Sequence, residues 1–302
     1  MGKLLVLCLN VFISSILISQ VSRIDSLLAR AQYEKDAWNY FVDCLDRNNC
    51  NNQFTDGFAK CADSAYLKYP TYSSPFRLKC NRYIKTGDYK NYIKVVDSAV
   101  KIEKKEYGRI PYFDFYELKD IRRALNGLCV YDAFTPNAVD IVMNDNILSL
   151  YGLCYSEMGK LDSALLYFDS LIDVGTDGRN KFFVTLHDYT NRGVVHLKLG
   201  NYQKAKKDFQ STIREYSQSV EGHYYLALAK FHLGEDVNEI EPLLKMALRS
   251  YDKGLRNNHP YGEYVDLPNA VWRSDIMELY YKIKGVKTYH LFSALGHPRN
   301  FC

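Results

Sequence analysis

Seven histidines, all in the second half of the chain, are the residues whose type most readily suggests metal or acid–base chemistry. His187 and His196 are nine apart, as are His223 and His232. At about 100° per residue, nine positions carry the two members of each pair to opposite sides of a helix. Neither pair can close on one metal within a helix, and the spacing predicts no metal site. Asp236, Glu239 and Glu241 form an acidic cluster at the start of an apolar-periodic stretch, which reads as the favourable charge of a helix N-terminus rather than an acid–base pair. The chain has no H-E-x-x-H, G-x-S-x-G, phosphate loop or G-x-G-x-x-G. No catalytic residue and no cofactor are expected, and the protein reads as a non-enzyme.

The cysteines carry a different message. Lys3 precedes the apolar run Leu4–Ile18, after which small and polar residues take over. That order is the mark of a secretory signal over residues 1–22, with cleavage near Ser19 or Ser22. The run is shorter than the about 20 apolar residues of a spanning helix and is interrupted by Asn10, Ser14 and Ser15, so an uncleaved anchor is the less favoured reading. The mature chain is expected to be exported, periplasmic or secreted, with no membrane span. Cys44, Cys50, Cys61, Cys80, Cys129, Cys154 and Cys302 then form an odd set in an oxidising compartment. One pair among Cys44, Cys50 and Cys61 is close enough in sequence to bridge, but spacing does not choose it. There is no C-x-x-C.

Composition excludes other classes. With 47% hydrophobic and 25% charged residues the chain has material for a core, so disorder is excluded. A formal charge of +4 and the interleaved signs of residues 101–109 argue against a nucleic-acid surface. The Asn/Lys/Tyr-rich composition and the lack of an N-x-[ST] sequon point to a bacterial envelope, of a Bacteroidetes-like organism.

The elements follow from a repeat. Gly152 and Gly159 are seven apart, followed by Ala164 and Phe168; Gly193, Gly200, Ala205 and Phe209 repeat those offsets. Ala227 and Gly234 repeat the first interval, and Gly193 to Ala227 is 34 residues. Glycine costs about 1 kcal/mol against alanine in a helix, so a recurrent glycine marks a structural need. Gly193 and Ala205 are expected where two helices cross, and Gly200 where a first helix closes with positive φ. Tyr189 and Phe209 are expected to fill the space between one pair and the next.

This pattern resembles the tetratricopeptide repeat over residues 141–249, with Tyr155 and Tyr189 at its aromatic position. The third unit is degenerate, with Lys230 and Glu239 where an aromatic and an alanine are usual. The resemblance implies an all-α, right-handed superhelix of antiparallel helix pairs. Residues 23–103 read as divergent helical repeats: Ile24, Leu27, Leu28, Ala31, Trp38, Phe41, Val42 and Leu45 form one stripe, and residues 74–102 share the turn grammar around Gly87. Residues 104–140 read as an irregular connection with a helix over 115–125, and residues 250–302 as a long loop, 257–269, followed by a capping helix at 271–283.

The resemblance further implies a binding groove on the concave face, lined by Asn146, Ser149 and Leu153, by His187, Thr190 and Val194, and by Tyr224, Leu228 and Phe231, with Ser156, Leu197 and Glu221 completing the three units. Ser149, Leu153, Glu221 and Tyr225 stand where relatives that grip a terminal carboxylate carry Lys, Arg or Asn, so that activity is not expected. The expected function is an exported adaptor for a protein or peptide. The alternatives are a small-ligand or signalling accessory of the envelope and a non-catalytic subunit of an envelope enzyme complex. A neighbouring repeat or the terminal helix covering the third unit's aromatics is the competing expectation for the groove.

Overall fold

The computed structural model describes residues 2–72, 74–102, 108, 110–136, 140–142, 145–176, 184–256 and 267–285; the side chains of residues 2–22, 76, 77, 102, 142 and 176 lie outside that description. Residues 257–266 of the loop fall outside it as well. The chain divides into two units, Met1–Glu106 and Tyr107–Cys302.

In the first unit, α1 runs Gly2–Arg47, α2 Asp56–Lys68, α3 Ser74–Lys85 and α4 Tyr89–Ile102. Helix α1 packs antiparallel on α2: Tyr33 meets Tyr69, Phe41 meets Phe58, and Cys44 is bonded to Cys61. Tyr69, just past the end of α2, meets α1 at Tyr33. The expected stripe splits. Phe41 and Leu45 are buried, whereas Ile24, Leu27, Leu28 and Trp38 are 55%, 60%, 63% and 42% exposed. At 1.5 Å per residue, a 13-residue helix covers less than a third of a 46-residue one. Ion pairs Lys79–Asp63 and Arg82–Asp56 fasten α3 to α2. Gly87 (φ 70°) closes α3, its neighbour Asp88 donating to the Tyr83 carbonyl at 2.9 Å.

The second unit opens with α5 (Ile110–Tyr116) and α6 (Ile121–Asp132). Two helices stand where one was expected over 115–125. Pro111 lies in the first turn of α5, where its missing N–H costs nothing, and Asp120 caps α6 by accepting from the Arg123 N–H. A short antiparallel ladder follows, β1 (Ile141–Val142) with β2 (Asp145–Asn146). Three helix pairs come next: α7 (Ile147–Glu157) with α8 (Leu161–Thr176), α9 (Leu186–Lys198) with α10 (Tyr202–Glu215), and α11 (Val220–His232) with α12 (Val237–Asp252). Helix α13 (Arg273–Ile283) packs on α12 and α11.

The glycine interval has two physical causes. Gly159, Gly200 and Gly234 have φ of 72°, 74° and 71° and end the first helices α7, α9 and α11. The next residue's N–H returns to the carbonyl five positions back (Lys160 to Tyr155, Asn201 to His196, Glu235 to Lys230), satisfying a terminal acceptor. The earlier glycine makes room for a ring. A Cβ on Gly152 would lie 2.7 Å from the Phe168 phenyl, and one on Gly193 2.6 Å from that of Phe209. Phe168 and Phe209 are fully buried in the second helices α8 and α10. In the third pair Ala227 stands at the glycine position and Leu243 at the ring position. A larger residue on one helix is matched by a smaller one on its partner. Phe209 also stacks on Tyr225 of the next pair at 5.4 Å, so one ring serves both the crossing and the stacking. Arg192 ties three helices together, bidentate to Asp208 of α10 (2.6 and 3.0 Å) and single to Asp169 of α8 (2.9 Å).

Among the described residues no helix is long and apolar enough to cross a membrane, and no group of His, Cys, Asp or Glu is placed to hold a metal ion.

Candidate functional site

The nine residues expected to line the groove lie in α7, α9 and α11 or, for Asn146, just ahead of α7. Five of them are buried: Asn146, Ser149, Leu153, Thr190 and Val194. Asn146 caps α7, its Oδ1 accepting from the Leu148 N–H at 2.8 Å. Ser149 donates to Asp188 Oδ1 at 2.5 Å, joining α7 to α9. Thr190 donates to the Leu186 carbonyl at 2.9 Å and meets Thr212 of α10 at 3.1 Å. The Ser149 and Thr190 hydroxyls and the Asn146 Oδ1 are committed within the protein, while the buried Asn146 Nδ2 has no hydrogen-bond partner. His187, Tyr224, Leu228 and Phe231 are half-buried. The last three pack against the core formed with Val271, Ile276 and Leu279, and Lys282 Nζ sits 4.9 Å from the centre of the Phe231 ring. The terminal helix thus lies on the third unit's aromatics.

Residues 267–272, the described end of the long loop, are hydrogen-bonded to α9 and α11. Asn269 takes a left-handed turn (φ 61°). Its side-chain amide donates to Asn191 Oδ1 at 2.9 Å, and its carbonyl accepts from the Tyr225 hydroxyl at 3.0 Å. Asn191 and Tyr225 are 34 residues apart, the same position in successive first helices. Leu267 and Val271 on either side are buried, and Trp272 stacks under the Arg256 guanidinium at 3.8 Å. Sequence reading missed Asn191 and Asn269. The signal was a turn-forming Pro268–Asn269 between two apolar residues.

Beside this segment lies a polar knot. Tyr116 donates to Asp145 Oδ2 at 2.7 Å, and Asp188 Oδ2 accepts from the Thr185 N–H (2.8 Å) and hydroxyl (2.9 Å) in a capping box. Burial pushes the Asp188 carboxyl up to about 6, against the pull of the Ser149 and Thr185 hydrogen bonds and with help from the Asp145 charge. Burial likewise raises the Tyr116 phenol, the Asp145 charge adding to it. A cavity of about 20 Å³ between Tyr116, Asp145, Ser149, His187, Asn191, Leu267 and Pro268 is the size of one water. The buried histidines are lowered by burial, His196 and His223 alike, and His223 Nδ1 lies 2.7 Å from the Ser219 carbonyl.

Residues 189–219 match the tetratricopeptide repeat family. No curated protein matches the chain in sequence. Among solved structures it is similar to the Pseudomonas aeruginosa protein PilF, with 14% identity, 75% of this chain and 96% of that one covered, and a TM-score of 0.55. It is also similar to a tetratricopeptide repeat protein from Parabacteroides merdae (16% identity, 84% and 86% covered, TM-score 0.52) and to PilW, described as a type IV pilus biogenesis factor (16%, 70% and 84%, TM-score 0.52). At these identities the likeness is one of fold. The helix pairs form an all-α tetratricopeptide-type superhelix, right-handed and closed by a C-terminal helix. The match spans the α9–α10 pair and the turn into α11.

Proposed function

We propose that this protein is an exported, non-catalytic interaction scaffold that takes an extended stretch of a protein partner along the inner face of its tetratricopeptide helices. One observation carries the reading: Asn191 of α9 and Tyr225 of α11 already hold a non-helical piece of chain, residues 267–272 with a turn at Pro268–Asn269, through a main-chain carbonyl and a carboxamide. Every peptide offers the first of these groups. A partner segment displaces 267–272 from Asn191 and Tyr225 and reaches the half-buried Tyr224, Leu228 and Phe231 beside it. The tetratricopeptide fold supports a protein as the partner, since stacked helix pairs present extended concave surfaces. Export is supported by the signal-like Leu4–Ile18 run and by the Cys44–Cys61 bond, because disulfides persist in oxidising compartments.

In-cell crosslinking and pull-down of the tagged full chain tests this. A partner recovered by the wild type, lost from Tyr224→Ala/Phe231→Ala and enriched on Asn269→Ala, whose own segment is loosened while Asn191 and Tyr225 stay intact, supports the scaffold. Equal recovery by all three chains, or no specific partner, overturns it. N-terminal sequencing of the mature chain tests export, with a start near Ser19–Ser22 expected.

A further inference from the structure

We propose that Cys50 is an internal nucleophile for the Cys44–Cys61 disulfide, so that residues 44–61 form a three-cysteine exchange site holding one bond in two alternative places. The bond joins α1 to α2, with an S–S length of 2.04 Å and a Cα–Cα distance of 5.7 Å. Cys50 carries a free thiol, 6% exposed, whose Sγ lies 3.8 Å from Cys61 Sγ. Two sulfurs at that distance are in van der Waals contact, the separation from which thiol–disulfide exchange proceeds.

The local backbone is built to put it there. Helix α1 ends with Asn49 in the left-handed region (φ 48°), and the Cys50 N–H returns to the Leu45 carbonyl at 3.0 Å. This helix-ending turn folds Cys50 back over the end of α1. On the other side, Gly57 in the first turn of α2 leaves the space that Cys50 uses: a Cβ there would come 2.8 Å from Cys50 Cβ and 3.3 Å from its Sγ. Asn48 completes the arrangement. Its Nδ2 donates to the Cys44 carbonyl at 2.7 Å and stands 3.6 Å from Cys44 Sγ and 3.9 Å from Cys61 Sγ. A carboxamide donor at that place stabilises charge on the sulfur that leaves.

The step balances within the chain. Cys50 loses its proton to solvent and its thiolate attacks Cys61 Sγ. The Cys50–Cys61 bond forms, the Cys44–Cys61 bond breaks, and the bonding pair departs on Cys44 Sγ, which takes up a proton. Nothing is oxidised or reduced overall. The consequence is mechanical: a covalent tie between two helices becomes a tie between α2 and the loop after α1, and a buried thiol is exchanged for one at the half-buried Cys44.

Trypsin separates the three residues, since cleavage at Lys35, Arg47, Lys60 and Lys68 puts Cys44 in 36–47, Cys50 in 48–60 and Cys61 in 61–68. The full chain is incubated at pH 8.5 for increasing times, quenched in acid, alkylated with N-ethylmaleimide under denaturing conditions at mildly acidic pH, and mapped by mass spectrometry. The expected result is label shared between the Cys44 and Cys50 peptides, absent from the Cys61 peptide, and approaching a fixed ratio at a rate independent of protein concentration. Cys50→Ser should label neither remaining cysteine. Cys44→Ser, its helicity checked by circular dichroism, should form Cys50–Cys61 and label neither. Label confined to Cys50 in the wild type at every time overturns the proposal, whether or not Cys44→Ser folds. A folded Cys44→Ser chain with both thiols free overturns it too.

Discussion

Replacing Gly193 by alanine pits two effects of opposite sign against each other. Helix propensity alone favours the alanine by about 1 kcal/mol. The structure opposes it: the new Cβ would lie 2.6, 2.9 and 3.0 Å from three carbons of the Phe209 ring, about 1 Å inside ordinary contact. The ring is fully buried and stacked on Tyr225, so it has nowhere to retreat. Overpacking a core costs about 1–3 kcal/mol, and three close contacts on an immobile ring place this case at the upper end. Gly193→Ala should therefore destabilise by about 2 kcal/mol net, a shift of about 1 M in the urea midpoint for a slope near 2 kcal/mol/M. Phe209→Leu alone should cost about 1–2 kcal/mol through the space it leaves. The double variant rebuilds the pair already present in Ala227 and Leu243 and should be close to wild type, with a coupling of about 3–4 kcal/mol. Urea unfolding followed by circular dichroism, with Trp272 fluorescence as a second probe, measures all four chains. A stabilised Gly193→Ala, or a coupling below about 0.5 kcal/mol, would refute the reasoning.

Three further outcomes are expected. Gly200→Ala should also destabilise, by about 1 kcal/mol from its φ of 74°, and Phe209→Leu should not rescue it in the same urea assay, because no atom lies within contact of a Cβ there. Asp188 titrates at an ordinary 3.8 when unfolded and near 6 when folded, so the folded state holds the extra proton between those values. Stability from this group is complete below about pH 4 and is lost as pH rises through 6, by about 3 kcal/mol, and Asp188→Asn should flatten that part of the pH profile in urea midpoints taken at pH 4.5 and 7. Tyr225→Phe removes the hydroxyl that holds the Asn269 carbonyl and should speed hydrogen exchange of residues 267–272 severalfold while leaving that of α9 and α10 unchanged, a loss of about 1 kcal/mol confined to the segment.

The repeat was legible because its requirements act at short range and recur. A glycine that must turn left-handed and a glycine that must admit a ring leave the same seven-residue interval in each unit, and the degenerate third unit keeps the logic while changing both residues. The occupant of the inner face was not legible. Asn269 meets Asn191 across 78 residues and Tyr225 across 44, with no period to announce either bond. The stripe on α1 was over-read for a related reason: amphipathic spacing says which side of a helix can be covered, while the length of the partner decides how far. One helix was expected over 115–125, across a break that in fact falls between Tyr116 and Ile121, where Asp120 caps α6. Sequence spacing left three cysteines open to pairing, and the register of α1 against α2, set by Phe41 on Phe58, selects Cys44 and Cys61.

The paired sizes at the helix crossings bear on how such a chain can be recombined. A turn after Gly159, Gly200 or Gly234 is the most permissive place to cut and rejoin backbone, yet a hybrid spliced there would mix one unit's first helix with another's second. Joining α11 to α10 would set Ala227 against the Phe209 ring, and joining α9 to α12 would leave Gly193 facing Leu243 across a void. Crossovers placed between pairs, ahead of α9 or α11, keep each small residue with its own large one. The heritable module of this array is therefore the helix pair.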